Sequence, residues 1–270
     1  MTRIVERFRE LKKKKQKAFI AFLMGGDPSL KETESLVYEL EKRDVDMIEI
    51  GVPFSDPIAD GSTIQRAGGR ALKNKVSLKD ILDLVKRIRK KSRIPLLIMT
   101  YYNPVFKFGL QHFVKAAKKA GLDGLIVPDL TPEESGELGS LCRRQNLDLV
   151  FFIAPTSTFK RIEQVNLKSS GFIYGISLLG VTGERKVLFL GIKKFLQRIE
   201  KQLKLPLAIG FGISAPWQAQ KIGSLPGVSG IIVGSAIVKK IEESSGRKDY
   251  LKKVGSFVES LVRGLKGKQY

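Results

Sequence analysis

The stretch MIEIGVPFSDPIADG (47–61) combines a short apolar run with a turn rich in proline, aspartate and glycine. The same order returns along the whole chain, with an amphipathic helical segment before the next run. Eight such runs are present, namely AFIAFLM (18–24), MIEIGV (47–52), PLLIMTY (95–101), GLIVPD (124–129), LVFFIAP (149–155), FIYGISL (172–178), PLAIGFG (206–212) and GIIVGSA (230–236). Their length and β-branched content predict strands buried on both faces, as in a parallel sheet.

Helical patterns fill the gaps between the runs. In SLKDILDLVKRIRKK (77–91) the apolar residues fall on one stripe, and the first fifteen residues predict an extra helix before the first strand. Eight β-then-α units favour a closed barrel over a doubly wound sheet. We therefore expect an α/β protein with a single (β/α)8 TIM-barrel domain over residues 1–270. Its active site should lie at the C-terminal ends of the strands.

Glu49 is the residue that interrupts the second apolar run. Strand alternation places Ile48, Ile50 and Val52 on the face that meets the helices, so Glu49 should point into the barrel. Burial raises the pKa of a carboxyl group toward the range that a general acid or base needs at neutral pH. The alternative is a structural ion pair, but no strand interior offers an obvious lysine or arginine. Asp60 follows in the next loop, either as a turn former or as a second catalytic carboxylate.

Three glycine-containing turns follow the last three predicted strands: GVTG (180–183), GFGIS (210–214) and VGSAIV (233–238). Each alone could simply permit a tight turn. Together they occupy the position at which barrels of this class bind phosphate. Gly234 and Ser235 would begin a short helix whose N-terminal amides favour an anion. The pattern predicts a phosphate site without a P-loop.

Composition limits the chemistry further. Cys142 is the only cysteine and His112 the only histidine, which excludes a metal site with two histidine ligands and makes a Ser-His-Asp triad improbable. The net charge of +21 could indicate a nucleic-acid or membrane-surface partner. Because the basic residues are scattered and not interleaved with aromatic residues, a solvated basic surface is favoured, with neither partner. No secretory signal or spanning run is present, so a cytoplasmic location is expected.

Several longer motifs extend these observations over nearly the whole chain. Their order and spacing resemble those of the tryptophan synthase α subunit family. The motifs that carry the resemblance are AFIAFLMGGDP, IEIGVPFSDPIADGSTIQRA, IVPDLTPEES, YGISLLGVTG, GFGIS and VGSAIVK. The resemblance implies retro-aldol cleavage of indole-3-glycerol phosphate to indole and glyceraldehyde 3-phosphate. It also implies an α2β2 assembly in which a β subunit carrying pyridoxal phosphate receives the indole. The chain itself would need no metal or organic cofactor.

The resemblance also implies roles for individual residues. Glu49 would be the acid and base at indole C3 and the glycerol hydroxyl, and Asp60 would bind the indole N–H. The implied substrate contacts are Phe22, Ile64, Tyr174, Thr182, Gly183, Phe211, Gly212, Gly234 and Ser235. The implied positions near the β subunit are Pro53, Asp56 and Asp129. Leu178 departs from the arginine that some relatives carry, which bears on ordering of the lid loop.

Other functions remain open at this point. A free-standing lyase that releases indole would need the same acid pair and phosphate cradle. A non-catalytic basic barrel that binds nucleic acid or a partner would need neither. Indole-glycerol-phosphate synthase, another phosphate-binding barrel, would require a catalytic lysine at a strand end, and no predicted strand carries one.

Overall fold

The computed structural model describes residues 1–176, 185–199, 202–210 and 212–267, with the side chains of 185–190 excluded. The strands are β1 (Ala18–Met24), β2 (Met47–Gly51), β3 (Leu96–Met99), β4 (Gly124–Ile126), β5 (Asp148–Val150), β6 (Phe152–Ile153), β7 (Ile173–Ile176), β8 (Leu207–Gly210) and β9 (Val228–Val233). The helices are α1 (Arg3–Lys13), α2 (Leu30–Lys42), α3 (Ser62–Lys73), α4 (Leu78–Arg89), α5 (Tyr102–Phe108), α6 (Leu110–Ala120), α7 (Gly136–Arg144), α8 (Phe159–Lys168), α9 (Arg185–Ile199), α10 (Pro216–Gly223), α11 (Ser235–Ser244) and α12 (Tyr250–Lys266).

The strands form a nearly closed parallel barrel, which confirms the predicted (β/α)8 fold. Their order is β5-β4-β3-β2-β1-β9-β8-β7-β6. The fifth predicted strand is divided at Phe151 because its pairing passes there from β4 to β7. The two ends of the sheet are therefore consecutive pieces of one chain segment. Extra helices follow β2, β3 and β9: α5 and α11 begin within three residues of their strands, whereas α3 follows β2 after the loop 52–61.

The two faces of β2 belong to different cores, as strand alternation predicts. Met47 packs inside the barrel with Ile20 and Leu97. Ile48 and Ile50 belong to the larger core between the barrel and its helices. Glu49 lies two residues after Met47 on the same strand, so its side chain is on the same face and points into the barrel interior.

The extra N-terminal helix α1 closes the barrel at the end opposite the strand C-termini. Its Ile4, Phe8 and Leu11 are buried in the interior core of the barrel. The ring of Phe8 lies 5.7 Å from that of Phe172, which precedes β7. The apolar stripe of α1 thus replaces solvent beneath the strands, and the barrel has one open end.

A buried carboxylate joins the first and last helices to this closed end. Asp46, just before β2, is 1% exposed and accepts a hydrogen bond from the backbone N–H of Phe19 at 2.7 Å. It also pairs with Arg7 of α1 at 2.6 Å and with Lys266 of α12 at 3.1 Å. Two cations and a backbone amide compensate for burying its charge.

The only cysteine and histidine do not enter the open end of the barrel. Cys142 is 1% exposed within α7, and burial raises the pKa of its thiol to about 12. His112 lies on the exposed side of α6. Within the described ranges, no cluster of ligating side chains could hold a metal ion, and no helix is long and apolar enough to cross a membrane.

Asp46→Ala should lower the free energy of unfolding by about 3–5 kcal/mol, because it leaves a buried lysine without its ion-pair partner. Urea unfolding followed by far-UV circular dichroism measures the change. Asp83→Ala, which removes an exposed carboxylate of α4, is the control and should stay within about 0.5 kcal/mol of wild type. Equal losses in the two variants would contradict an anchoring role for Asp46.

Candidate active site

A cavity of about 340 Å³ opens where the strands end. Met99, Ile176 and Gly210 are the last residues of β3, β7 and β8, and all three line it. The lining is Phe22, Glu49, Ala59, Asp60, Gly61, Ile64, Met99, Pro128, Phe152, Tyr174, Ile176, Gly210, Gly212, Ile232, Gly234 and Ser235. Aromatic and aliphatic walls with two carboxyl groups are typical of a small-molecule site.

Glu49 is the most constrained polar group of this cavity. It is 0% exposed, and neither carboxyl oxygen has a hydrogen-bond partner among the described residues. Burial raises the pKa of Glu49 to about 8, and the negative charge of Asp60 contributes to the rise. The group is therefore mostly protonated at neutral pH. A neutral carboxylic acid with both oxygens unengaged can donate a proton and later accept one.

Asp60 has a different environment on the loop after β2. It is half-buried, and burial raises its pKa while the hydroxyl of Tyr101 donates a hydrogen bond that opposes the rise. The same hydroxyl accepts the backbone N–H of Ala59 at 3.0 Å. Tyr101 therefore holds the loop and stabilises the ionised form of Asp60. The cavity thus holds two carboxyl groups whose pKa values are raised by burial, one without a hydrogen-bond partner and one that accepts a hydroxyl hydrogen bond.

Two strand glycines make room for the aromatic walls. A Cβ atom on Gly51 would lie 2.6 Å from the ring of Phe22, and one on Gly210 would lie 2.6 Å from the ring of Tyr174. Any larger residue would push these rings out of the cavity. Tyr174 also lies 4.8 Å, centroid to centroid, from Phe152. Burial and the nearby Glu49 raise the pKa of Tyr174, so its hydroxyl keeps its proton.

The other end of the cavity is formed by backbone at the start of α11. Gly234 is the N-cap residue, and no described side chain caps the helix. The N-terminal amides of α11 therefore face the cavity without a side-chain acceptor, a favourable setting for an anion. Gly212 lines the same end with φ +59, a conformation that glycine adopts without strain.

The structure brings together most of the residues that the sequence singled out. Phe22, Glu49, Asp60, Ile64, Tyr174, Gly212, Gly234 and Ser235 all line the cavity. Thr182, Gly183, Phe211 and Leu178 lie outside the described residues. Pro53 is buried and Asp56 exposed on the loop after β2. The exposed Asp129 accepts the backbone N–H of Tyr102 at 2.8 Å, at the start of α5. None of these last three lines the cavity.

Sequence reasoning missed several residues of the wall. Met99 and Phe152 lie two residues beyond Leu97 and Val150 of the barrel core, and Ile232 belongs to that core. Extending the alternation used for Glu49 to the other strands would have found all three wall residues. Tyr101 carries no comparable signal, because its contact with Asp60 depends on the path of the intervening loop.

Glu49→Gln should change the pH dependence of stability. The pKa of Glu49 is about 8 in the folded chain against an ordinary 4.5, so between these values the unfolded chain ionises while the folded chain retains the proton. Wild-type stability contributed by this group is complete below pH 4.5 and falls as the pH rises to 8. The stability of the variant relative to wild type should therefore grow by up to about 1.4 kcal/mol per pH unit across this window.

Urea unfolding at several pH values measures this difference, and Glu163→Gln, at an exposed position of α8, is the control. Parallel pH profiles for wild type and Glu49→Gln would contradict the raised pKa of Glu49.

Comparison with known proteins agrees with this geometry. Residues 8–266 match the tryptophan synthase alpha chain family. The tryptophan synthase alpha chains of Geotalea daltonii and Caldanaerobacter subterraneus are 45% and 44% identical to this chain, with 98% and 97% of it and 99% and 98% of the relatives covered. The crystal structure of tryptophan synthase subunit alpha from Legionella pneumophila superposes with a TM-score of 0.91 at 33% identity, over 98% of both chains. The chain belongs to the tryptophan synthase alpha chain family.

Proposed function

We propose that this chain is a carbon–carbon lyase that cleaves indole-3-glycerol phosphate to indole and glyceraldehyde 3-phosphate. Family membership supports a lyase in tryptophan biosynthesis. The observation that supports this specific reaction is the pair of carboxyl groups in the cavity, which differ in their hydrogen bonding. Glu49 is buried and unpaired, whereas Asp60 receives the Tyr101 hydroxyl.

In the proposed reaction Glu49 acts first as an acid. Its proton goes to C3 of the indole ring, which converts the ring to a cationic indolenine. The resulting carboxylate then accepts the proton of the glycerol hydroxyl next to the ring. The O–H electrons form the aldehyde carbonyl, the carbon–carbon bond breaks, and its electrons restore the aromatic indole. Glu49 ends the cycle protonated, so a pKa of about 8 suits the resting enzyme at neutral pH.

Asp60 stabilises the positive charge that the ring acquires. Its carboxylate accepts the indole N–H, and this bond strengthens as the ring becomes cationic. Phe22, Ile64 and Tyr174 enclose the ring in an apolar space that excludes water. Low local polarity makes the interaction between Asp60 and the ring stronger than it would be in water.

The phosphate binds at the opposite end of the cavity. Gly212, Gly234 and Ser235 offer backbone amides and the N-terminus of α11. Gly183 completes this cradle and Phe211 the substrate contacts, while Thr182 orients Asp60 from a lid. These three assignments rest on the resemblance alone. The basic surface charge of the chain attracts the doubly anionic substrate.

The chain acts with a β subunit in an α2β2 assembly. Pyridoxal phosphate belongs to that partner, and this chain requires no cofactor for the acid–base steps above. Pro53 and Asp56 lie at the same end as the cavity, on the loop that carries the exposed side chain of Ile58. Asp129 accepts the backbone N–H of Tyr102, the first residue of α5, and this helix carries the exposed side chain of Phe106. Large exposed apolar side chains at the end of the barrel where the cavity opens support a protein partner at this face.

Glu49→Gln should lower indole release by at least about 100-fold, because an amide can neither donate nor accept the required proton. Inorganic phosphate and a β subunit should still bind, since neither site includes Glu49. The measurement is an indole-release assay on indole-3-glycerol phosphate, with and without a β subunit. Near wild-type turnover of the variant would refute the role of Glu49, and Glu163→Gln should leave turnover unchanged.

Phe106→Asp should weaken binding of a β subunit by at least about tenfold, because it places a charge in an apolar contact. Isothermal titration calorimetry measures the affinity. Leu167→Asp is a control, since Leu167 is 61% exposed, close to the 63% of Phe106, and lies at the C-terminal end of α8, away from the C-terminal ends of the strands. Wild-type turnover without any measurable β-subunit binding would favour the free-standing lyase instead.

A further inference from the structure

Arg70 of α3 lies behind the cavity wall and joins three elements that form it. Its Nε and Nη2 donate to the two carboxylate oxygens of Asp27 at 2.7 and 2.8 Å. Its Nη1 donates to Glu242 of α11 at 2.6 Å. Arg70 does not line the cavity, so it does not belong to the proposed catalytic or binding groups.

Separating Asp27 from Arg70 would cost considerable free energy, because the Asp27 carboxylate is buried. Asp27 is 2% exposed, in the turn that follows β1, the strand of Phe22. A buried carboxylate that lost both bonds of this guanidinium fork would retain an uncompensated charge. Asn74, at the end of α3, donates to the carbonyl of Pro28 in the same turn at 2.8 Å. Helix α3 and the turn that follows β1 are therefore held together as one unit.

The partner on the other side belongs to the helix that begins the proposed phosphate site. Glu242 lies two turns along α11 from Ser235, and it also accepts from Arg66 of α3 at 3.0 and 3.1 Å. Hydrogen bonds from Arg66 and Arg70 lower the pKa of Glu242 to about 2, so it is ionised at any working pH. The α3–α11 contact is thus a paired ionic clamp.

The same helix α3 also holds the loop of the indole-binding carboxylate. The Gln65 side chain donates to the backbone carbonyl of Asp60 at 2.9 Å, and α3 begins directly after Gly61. A shift of α3 relative to α11 would therefore change the separation between Asp60 and the start of α11. These two places bind opposite ends of a single substrate molecule in the proposed function.

We propose that Arg70 is a positioning residue that sets the distance between the indole subsite and the phosphate subsite. This inference rests on the proposed function and adds to it a determinant of substrate length. Two subsites that are correctly spaced bind a linked ligand far more tightly than either fragment, and an error of about 1 Å can cost up to about 100-fold.

The test distinguishes an effect on the distance between the two subsites from an effect on the affinity of either subsite alone. Arg70→Lys keeps the charge beside Asp27 but cannot maintain all three bonds. The double variant Arg70→Gln/Asp27→Asn removes the half-buried charge of Arg70 together with the buried charge of Asp27, so no buried charge is left without its partner. Each should raise KM for indole-3-glycerol phosphate by about 10- to 100-fold. The Kd values for indole alone and for inorganic phosphate alone should change by less than about twofold, as titration calorimetry would show.

Arg87→Lys is the matched control and should leave KM unchanged. Arg87 pairs with Glu34 at 3.0 Å and joins α4 to α2, away from the elements that Arg70 connects. Folded Arg70 variants with wild-type KM would overturn the inference. Loss of phosphate affinity as large as the change in KM would also overturn it, because Arg70 would then act on one subsite only. Absence of turnover in the wild-type chain would instead refute the proposed function, and this inference with it.

Discussion

The structure depends on the burial of one unpaired carboxyl group in the wall of a barrel. A carboxylate at the position of Glu49 would be costly, so the group retains its proton, and the surrounding core must supply the stability that an ion pair would otherwise give. β2 can hold Glu49 because it is hydrogen-bonded on both sides, to β1 and to β3. A loop would move so that the carboxyl group reached water. Because β2 is held on both sides, Glu49 stays buried and keeps its proton.

The opposite end of the barrel is built with the reverse electrostatic arrangement. Asp46 is as deeply buried as Glu49, but it accepts from Arg7, Lys266 and a backbone amide. The two residues are three positions apart in sequence, since Asp46 immediately precedes β2 and Glu49 is the third residue of that strand. A paired carboxylate at the closed end holds helices in place, whereas an unpaired carboxyl group at the open end is available for chemistry. A few residues of one strand thus separate a paired charge that stabilises the fold from a neutral, unpaired carboxyl group that costs stability.

The sequence was sufficient to predict the barrel and the inward direction of Glu49, because alternation and repeated βα units are local signals. The phosphate site at the glycine-lined end of the cavity stays a prediction. It could not reveal the division of the fifth strand at Phe151, which reflects a change of pairing partner on closure. Nor could it reveal the Tyr101 contact or the Arg70 clamp, because both join residues brought together only by packing. Thr182, Gly183 and Phe211 stay predictions.

The ion pairs of Arg7 and Lys266 with Asp46 bring the two ends of the chain close together. Residues near the two termini meet at one carboxylate, at the end of the barrel remote from the cavity. A short peptide linker could join the termini into a continuous ring without crossing the mouth. The order of the βα units along the chain is then separable from the barrel architecture. A circular permutant opened in an exposed loop remote from the cavity would retain the contacts that line the cavity.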